Sequence, residues 1–110
     1  MKQYLDEQQT AKLIELGFEN PSSIASVEPI YGMGGISVAK AYTIGELLSF
    51  LPPIIPQEYG YYINITHDSV SWVIDYKQYG DTQYKYIVSD VELIDGLFDL
   101  CVKLKEEGVI

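Results

Sequence analysis

Residues 89–108, SDVELIDGLFDLCVKLKEEG, constrain the fold more than any other stretch. On a wheel of about 100° per residue, Glu92, Asp95, Asp99, Lys103, Glu106 and Glu107 form one polar stripe, with Gly96 among them. Val91, Leu93, Ile94, Leu97, Phe98, Leu100, Cys101, Val102 and Leu104 fill the remaining arc, roughly 200° wide against the ~100° of a helix lying on a single surface. A helix apolar around so much of its circumference has to bury two sides, against a sheet and against another helix or a second chain. Ser89-Asp90-Val91-Glu92 has the spacing of a capping box, which predicts that this helix opens there and runs to Gly108. It is the organising helix of the core.

The rest of the chain supplies what that helix packs against. A first helix is expected from near Leu5, capped by Asp6 with Gln9 three residues on, and ended by Gly17 in a left-handed cap with Phe18 on Leu13. Thr43-Ile44-Gly45-Glu46 is a second capping box, and Pro52-Pro53 stop the helix that follows. Ile44, Leu47, Leu48 and Leu51 give it an apolar face. Between these two helices lie SIASVEPIY and ISVAKAY, both β-prone, with Pro29 arguing for an edge position. Three more strand candidates follow at 59–66, 70–77 and 83–89, joined by HDS and QYGDT. Tyr61, Ile63 and Ile65 alternate onto one face of the first, and Val70, Trp72, Ile74 and Tyr76 onto one face of the second. Short connections favour an antiparallel meander. The expectation is a single α+β domain over residues 1–110, in the order α-β-β-α-β-β-β-α. Its mainly antiparallel sheet has about five strands, a hairpin plus the meander, with three helices largely on one face.

Composition narrows function mainly by exclusion. The 110 residues carry 16 acidic side chains against seven lysines, a net charge of −9, and no arginine. Without arginine the chain lacks the planar fork that grips phosphate and reads guanine, and without a basic patch it lacks the counterion-release term that drives nucleic-acid binding. Direct contact with nucleic acid or an anionic membrane is not expected. The N-terminal MKQYLDEQQT has no signal-like apolar run, and no stretch approaches the ~20 apolar residues of a membrane span. One cysteine, Cys101, allows no intrachain disulfide, and a reducing, cytoplasmic setting fits.

Each motif that resembles a chemical site has a simpler reading. YGMGGISVAK (31–40) bears three glycines and a lysine. A Walker loop needs lysine directly after its last glycine, whereas Lys40 follows Gly35 by five residues, and the dinucleotide fingerprint would need glycine where Ser37 stands. The following segment is β-prone where both motifs require a helix, so a hairpin turn is the reading. His67 is the only histidine, beside Asp68 in a turn, without the partners a catalytic base or metal site needs. Cys101 sits on the apolar arc and reads as a core thiol. Asp95 and Asp99, one turn apart, could share a cation, but Lys103 is spaced to pair with Asp99 and a solvated helix face is the default. The turn residues Asp75 and Asp81 do not form a calcium-loop pattern. No catalytic, cofactor or metal residues are assigned.

The ten tyrosines stand apart, seven of them between positions 59 and 86. Alternation spreads them over both faces of the meander, with Tyr62 opposite Tyr61 and Ile63, and Tyr84 sharing a face with Tyr86. If helices cover one side, rings remain on the other. Tyrosine is enriched at interfaces because it offers a large contact area for two torsions frozen, although cross-strand aromatic packing would use the same residues. Tyr59, Tyr62, Tyr76 and Tyr84 are the candidate contact surface.

LDEQQTAKLIELGFE, YTIGELLSFLP and LIDGLFDLCVKLKEEGVI, in this order and spacing, resemble small uncharacterised proteins of gut Bacteroidales associated with prophages and conjugative elements. The resemblance spans most of the chain, and the strands between these anchors match in pattern only. It implies a mobile-element origin and a compact α+β domain, and assigns no activity or residue roles. The functional expectation is a non-enzymatic accessory protein that binds another protein or itself. The alternative is an acidic mimic of nucleic acid that occupies a host DNA-binding protein.

Overall fold

The computed structural model describes residues 1–22, 24–30, 35–55, 60–78 and 84–110, through the backbone for 24–30 and 35–39. In chain order the elements are α1 (Glu7–Glu15), β1 (Ile24–Ile30), β2 (Gly35–Lys40), α2 (Ile44–Phe50), β3 (Tyr61–His67), β4 (Trp72–Gln78), β5 (Tyr84–Asp90) and α3 (Leu93–Glu106). The turn at 31–34, the loop at 56–59 and most of the QYGDT connection lie outside the described residues.

Local chemistry sets most of the helix ends. The Asp6 carboxylate accepts the Gln9 N–H at 2.8 Å while Gln9 Oε1 accepts the Asp6 N–H at 3.0 Å, and Thr43 with Glu46 does the same for α2. Gly17 (φ +97°) and Gly108 (φ +76°) close α1 and α3 in left-handed conformation, a region costly for a residue with a Cβ. Phe18 N–H then reaches back to the Leu13 carbonyl at 3.1 Å, and Val109 N–H to that of Leu104 at 2.9 Å. The capping box expected at Ser89–Glu92 does not form. Ser89 and Asp90 are held in β5 by pairing with Val73 and Trp72, so α3 starts at Leu93. Glu92 precedes it with no side-chain cap, and the Asp90 carboxylate accepts the Glu92 N–H at 3.1 Å.

The five-stranded sheet is the main correction. β3, β4 and β5 form a three-stranded antiparallel sheet in that order, and β1 pairs antiparallel with β2 in a separate ribbon. Both edges of the larger sheet are poorly suited to the ribbon. Beside β3 runs the segment after α2, with Ile63 N–H on the Pro53 carbonyl at 3.0 Å and Ile55 N–H on that of Tyr61 at 3.1 Å. At the other edge β5 is broken by a bulge. The ribbon stays apart, and the radius of gyration is 16.2 Å, against about 13 Å for a compact chain of this length.

α3 uses its wide apolar arc on both sides, lying on β4 and β5 and packing against α2. Ile94, Leu97, Leu100, Cys101 and Leu104 are wholly buried, as are Ile74 and Tyr76 of β4, Leu47 of α2 and Leu13 of α1. Each large aliphatic among them contributes about 1.5–3 kcal/mol. Among the described residues no helix is long and apolar enough to cross a membrane.

Gly96 sets how closely α3 approaches the sheet, since a Cβ there would lie 2.8 Å from Ile74 Cδ1. Gly96→Ala gains about 1 kcal/mol of helix propensity but loses about 1–3 kcal/mol to overpacking, so net destabilisation is expected. Ile74→Val removes the offending methyl, and in that background the alanine should stabilise by about 1 kcal/mol. Urea midpoints for both single variants and the double variant test this, and additive effects would contradict the close contact.

Candidate functional site

Pleating divides the meander into two chemically different faces. Cross-strand pairs Ile63–Tyr76 and Ile65–Ile74 belong to the side on which α3 packs. Tyr62, Asn64 and Thr66 of β3, paired with Lys77, Asp75 and Val73 of β4, belong to the opposite side. α3 approaches β4 from the other side, where Gly96 meets Ile74. Asn64, Thr66, Val73, Asp75, Lys77, Tyr84 and Ile87 line a shallow groove of about 370 Å³ on the Tyr62 side.

The bulge in β5 decides which aromatic rings reach this groove. Ile74 pairs with Val88, but Tyr76 pairs with Lys85, so β5 holds one extra residue between the two pairs. Tyr86 takes it up at φ +55°, a conformation a bulky side chain rarely adopts. Strict alternation puts Tyr84 and Tyr86 on one face; the bulge separates them. Tyr86 sits edge-on to Tyr76 with ring centroids 6.4 Å apart, on the α3 side, and this contact helps hold the strained backbone. Tyr84 and Ile87 line the groove on the open side.

The candidate tyrosines therefore part company. Tyr62 and Tyr84 are each 43% exposed on the open face. Tyr76 is a correction: it is wholly buried beneath α3 and donates its hydroxyl to the Pro52 carbonyl at 2.7 Å, so it cannot be a contact residue. Its place in the Trp72–Ile74–Tyr76 stripe already allied it with the core, and burial holds its phenol far above the ordinary range. Tyr59 lies outside the described residues.

Sequence reasoning missed Asp75, which it took for a turn residue. It sits in the middle strand, 3% exposed, and lines the groove. Asn64 Nδ2, directly across in β3, donates to its Oδ1 at 3.3 Å. Burial raises its pKa, opposed by the Asn64 hydrogen bond and the charge of Lys77. Lys77 is not in contact with it: the Lys77 Nζ lies over the Tyr84 ring, 5.6 Å from the centroid. The available signal was a carboxylate in the centre of VSWVIDYK, where a charge is costly unless paired.

The other candidates lie apart from the groove. His67 ends β3 and packs its ring on its cross-strand partner Trp72, with centroids 4.6 Å apart. Asp68 accepts the N–H groups of Val70 and Ser71, both at 2.7 Å, and these bonds hold its carboxyl below its usual range. Cys101 is fully buried beside the Leu47 carbonyl, its pKa pushed up to about 12 by burial. Asp95 pairs with Lys2 at 2.7 Å and accepts from Gln9 at 2.9 Å. Burial opposes its charged form, but Lys2 and Gln9 outweigh that and lower its pKa. Asp99 is raised by burial and by the charges of Asp90 and Asp95. Lys103 forms no ion pair with it within 4 Å; among the described residues the pair that does form is Lys2–Asp95. Among the described residues no three metal-ligating side chains converge.

No protein-family model, curated protein or solved structure matches the chain.

Asp75 carries a stability prediction with a definite sign. Its folded pKa lies above the unfolded value of about 3.8, so the native state binds the proton more tightly. Its contribution to stability is therefore fully present below the unfolded value and is lost as pH rises through the folded value. Asp75→Asn should raise the thermal midpoint at neutral pH, with the gain shrinking on acidification towards 3.8. A variant less stable than wild type at neutral pH would show that the charged form is favoured by the fold.

Proposed function

We propose that the protein is a non-enzymatic binding module that takes a partner protein on the uncovered face of the β3–β4–β5 sheet. The observation that carries this reading is the asymmetry of that sheet. On one side α3 packs over β4 and β5, while the other presents Tyr62, Tyr84 and the 52%-exposed Ile87 around a groove. Large rings exposed beside a recessed polar group match the composition of interface centres. The setting would be that of an accessory protein in a bacterial mobile element, acting in the cytoplasm, as the sequence resemblance and the single thiol imply.

Tyr62→Ala combined with Tyr84→Ala should leave the fold within about 1 kcal/mol of wild type, since both rings are partly solvent-exposed. The double variant should lose a partner captured by the wild-type protein from its host. Amide exchange on the purified complex should show protection in β3, β4 and β5. Capture unaffected by the double variant, with protection confined to α1 or α3, would overturn the reading.

A further inference from the structure

The open face carries a carboxylate that forms no ion pair among the described residues. Asp75 is almost fully buried in the centre of the sheet, and the hydrogen bond it receives comes from a neutral amide. No lysine nitrogen among the described residues lies within 4 Å of it. Lys77, from the same face, is turned onto the Tyr84 ring. A carboxylate so placed loses hydration without gaining a counter-ion, a cost that a cation delivered from outside would offset.

We propose that the groove binds the guanidinium group of an arginine presented by a basic segment of the partner protein, with Asp75 as its counter-ion. The acceptors present suit a planar multi-donor group better than a point charge. Asn64 spends its Nδ2 on Asp75, leaving its Oδ1 as an acceptor, and Thr66 lines the same groove. Guanidinium fills several acceptors at once and sheds water more readily than ammonium. Val73 and Ile87 give the groove apolar flanks for the methylene stem. A groove of about 370 Å³ has room for one long side chain. The net charge of −9 steers basic segments towards the protein. A second copy cannot supply the group, because the chain contains no arginine. This inference rests on the open face being the contact surface.

The test uses the full chain and three blocked pentapeptides, Gly-Gly-Xaa-Gly-Gly, with arginine, lysine or citrulline at the centre. Binding is followed through amide NMR shifts, including the Asn64 side-chain amide. Saturable shifts at Asn64, Asp75 and Ile87 are expected with the arginine peptide. The citrulline peptide and the nearly isosteric Asp75→Asn protein should each bind about thirtyfold more weakly or not at all. Equal shifts with citrulline, unchanged binding by Asp75→Asn, or shifts spread along α3 would overturn the proposal. Free arginine binding as tightly as the peptide would overturn the assignment to a partner segment. A host partner lost by the Tyr62/Tyr84 variant but kept by Asp75→Asn would sink the arginine assignment and leave the open-face reading intact.

Discussion

The seating of α3 on β4 is the contact from which the other arrangements follow. Gly96 brings the helix down on Ile74, and the residues to either side bury their apolar surface in the sheet and in α2. Because one helix serves both layers, its neighbours collect on its side of the sheet. The N-terminal segment is tied to the same assembly. Lys2 and Gln9 bind Asp95 near the start of α3, while Leu5 N–H reaches the Tyr42 carbonyl at 3.1 Å. Phe18 after α1 meets Phe50 of α2 with centroids 5.1 Å apart. With α3 on that side, the opposite face of the sheet is left to solvent or to a partner.

That opposite face contains an arrangement that works against folding. A carboxylate in the middle of a sheet, 3% exposed and held by a single neutral donor, is a poor choice for stability alone. An apolar residue or an asparagine in its place would avoid the desolvation cost. Groups whose environment penalises their charge concentrate where binding or chemistry needs that charge. Here the cost falls in the groove that is flanked by exposed rings, which links the two observations physically.

The bulge in β5 has two consequences from one extra residue. It distributes aromatic rings between the faces, sending Tyr86 to the core and leaving Tyr84 at the groove. It also interrupts the outer edge of the sheet, where a regular strand would offer a template for pairing. The other edge is closed by the Pro53–Ile55 segment. With both edges managed, the sheet face is the better route to a partner than strand addition.

Much of the fold was legible because its signals are local. The Asp6–Gln9 and Thr43–Glu46 boxes, the left-handed glycine at 17, and the apolar arc of α3 each depend on residues within a turn or two of one another. Where a choice was made between distant segments, local pattern failed. Ser89 and Asp90 had the spacing of a helix cap, but cross-strand pairing with Val73 and Trp72 claimed them for the sheet. Tyr76 matched an interface profile until the packing of α3 buried it. Tyr84 and Tyr86 had the alternation of one face, and a bulge invisible to period-2 reasoning divided them. The sequence by itself determined the helices, the approximate strand segments and the caps of α1 and α2, through propensity and hydrogen bonds that close within a few residues. Only the tertiary structure decided which strands share a sheet, which face α3 packs on and that Asp75 is buried opposite Asn64, because those outcomes are set by competition among surfaces far apart in the chain.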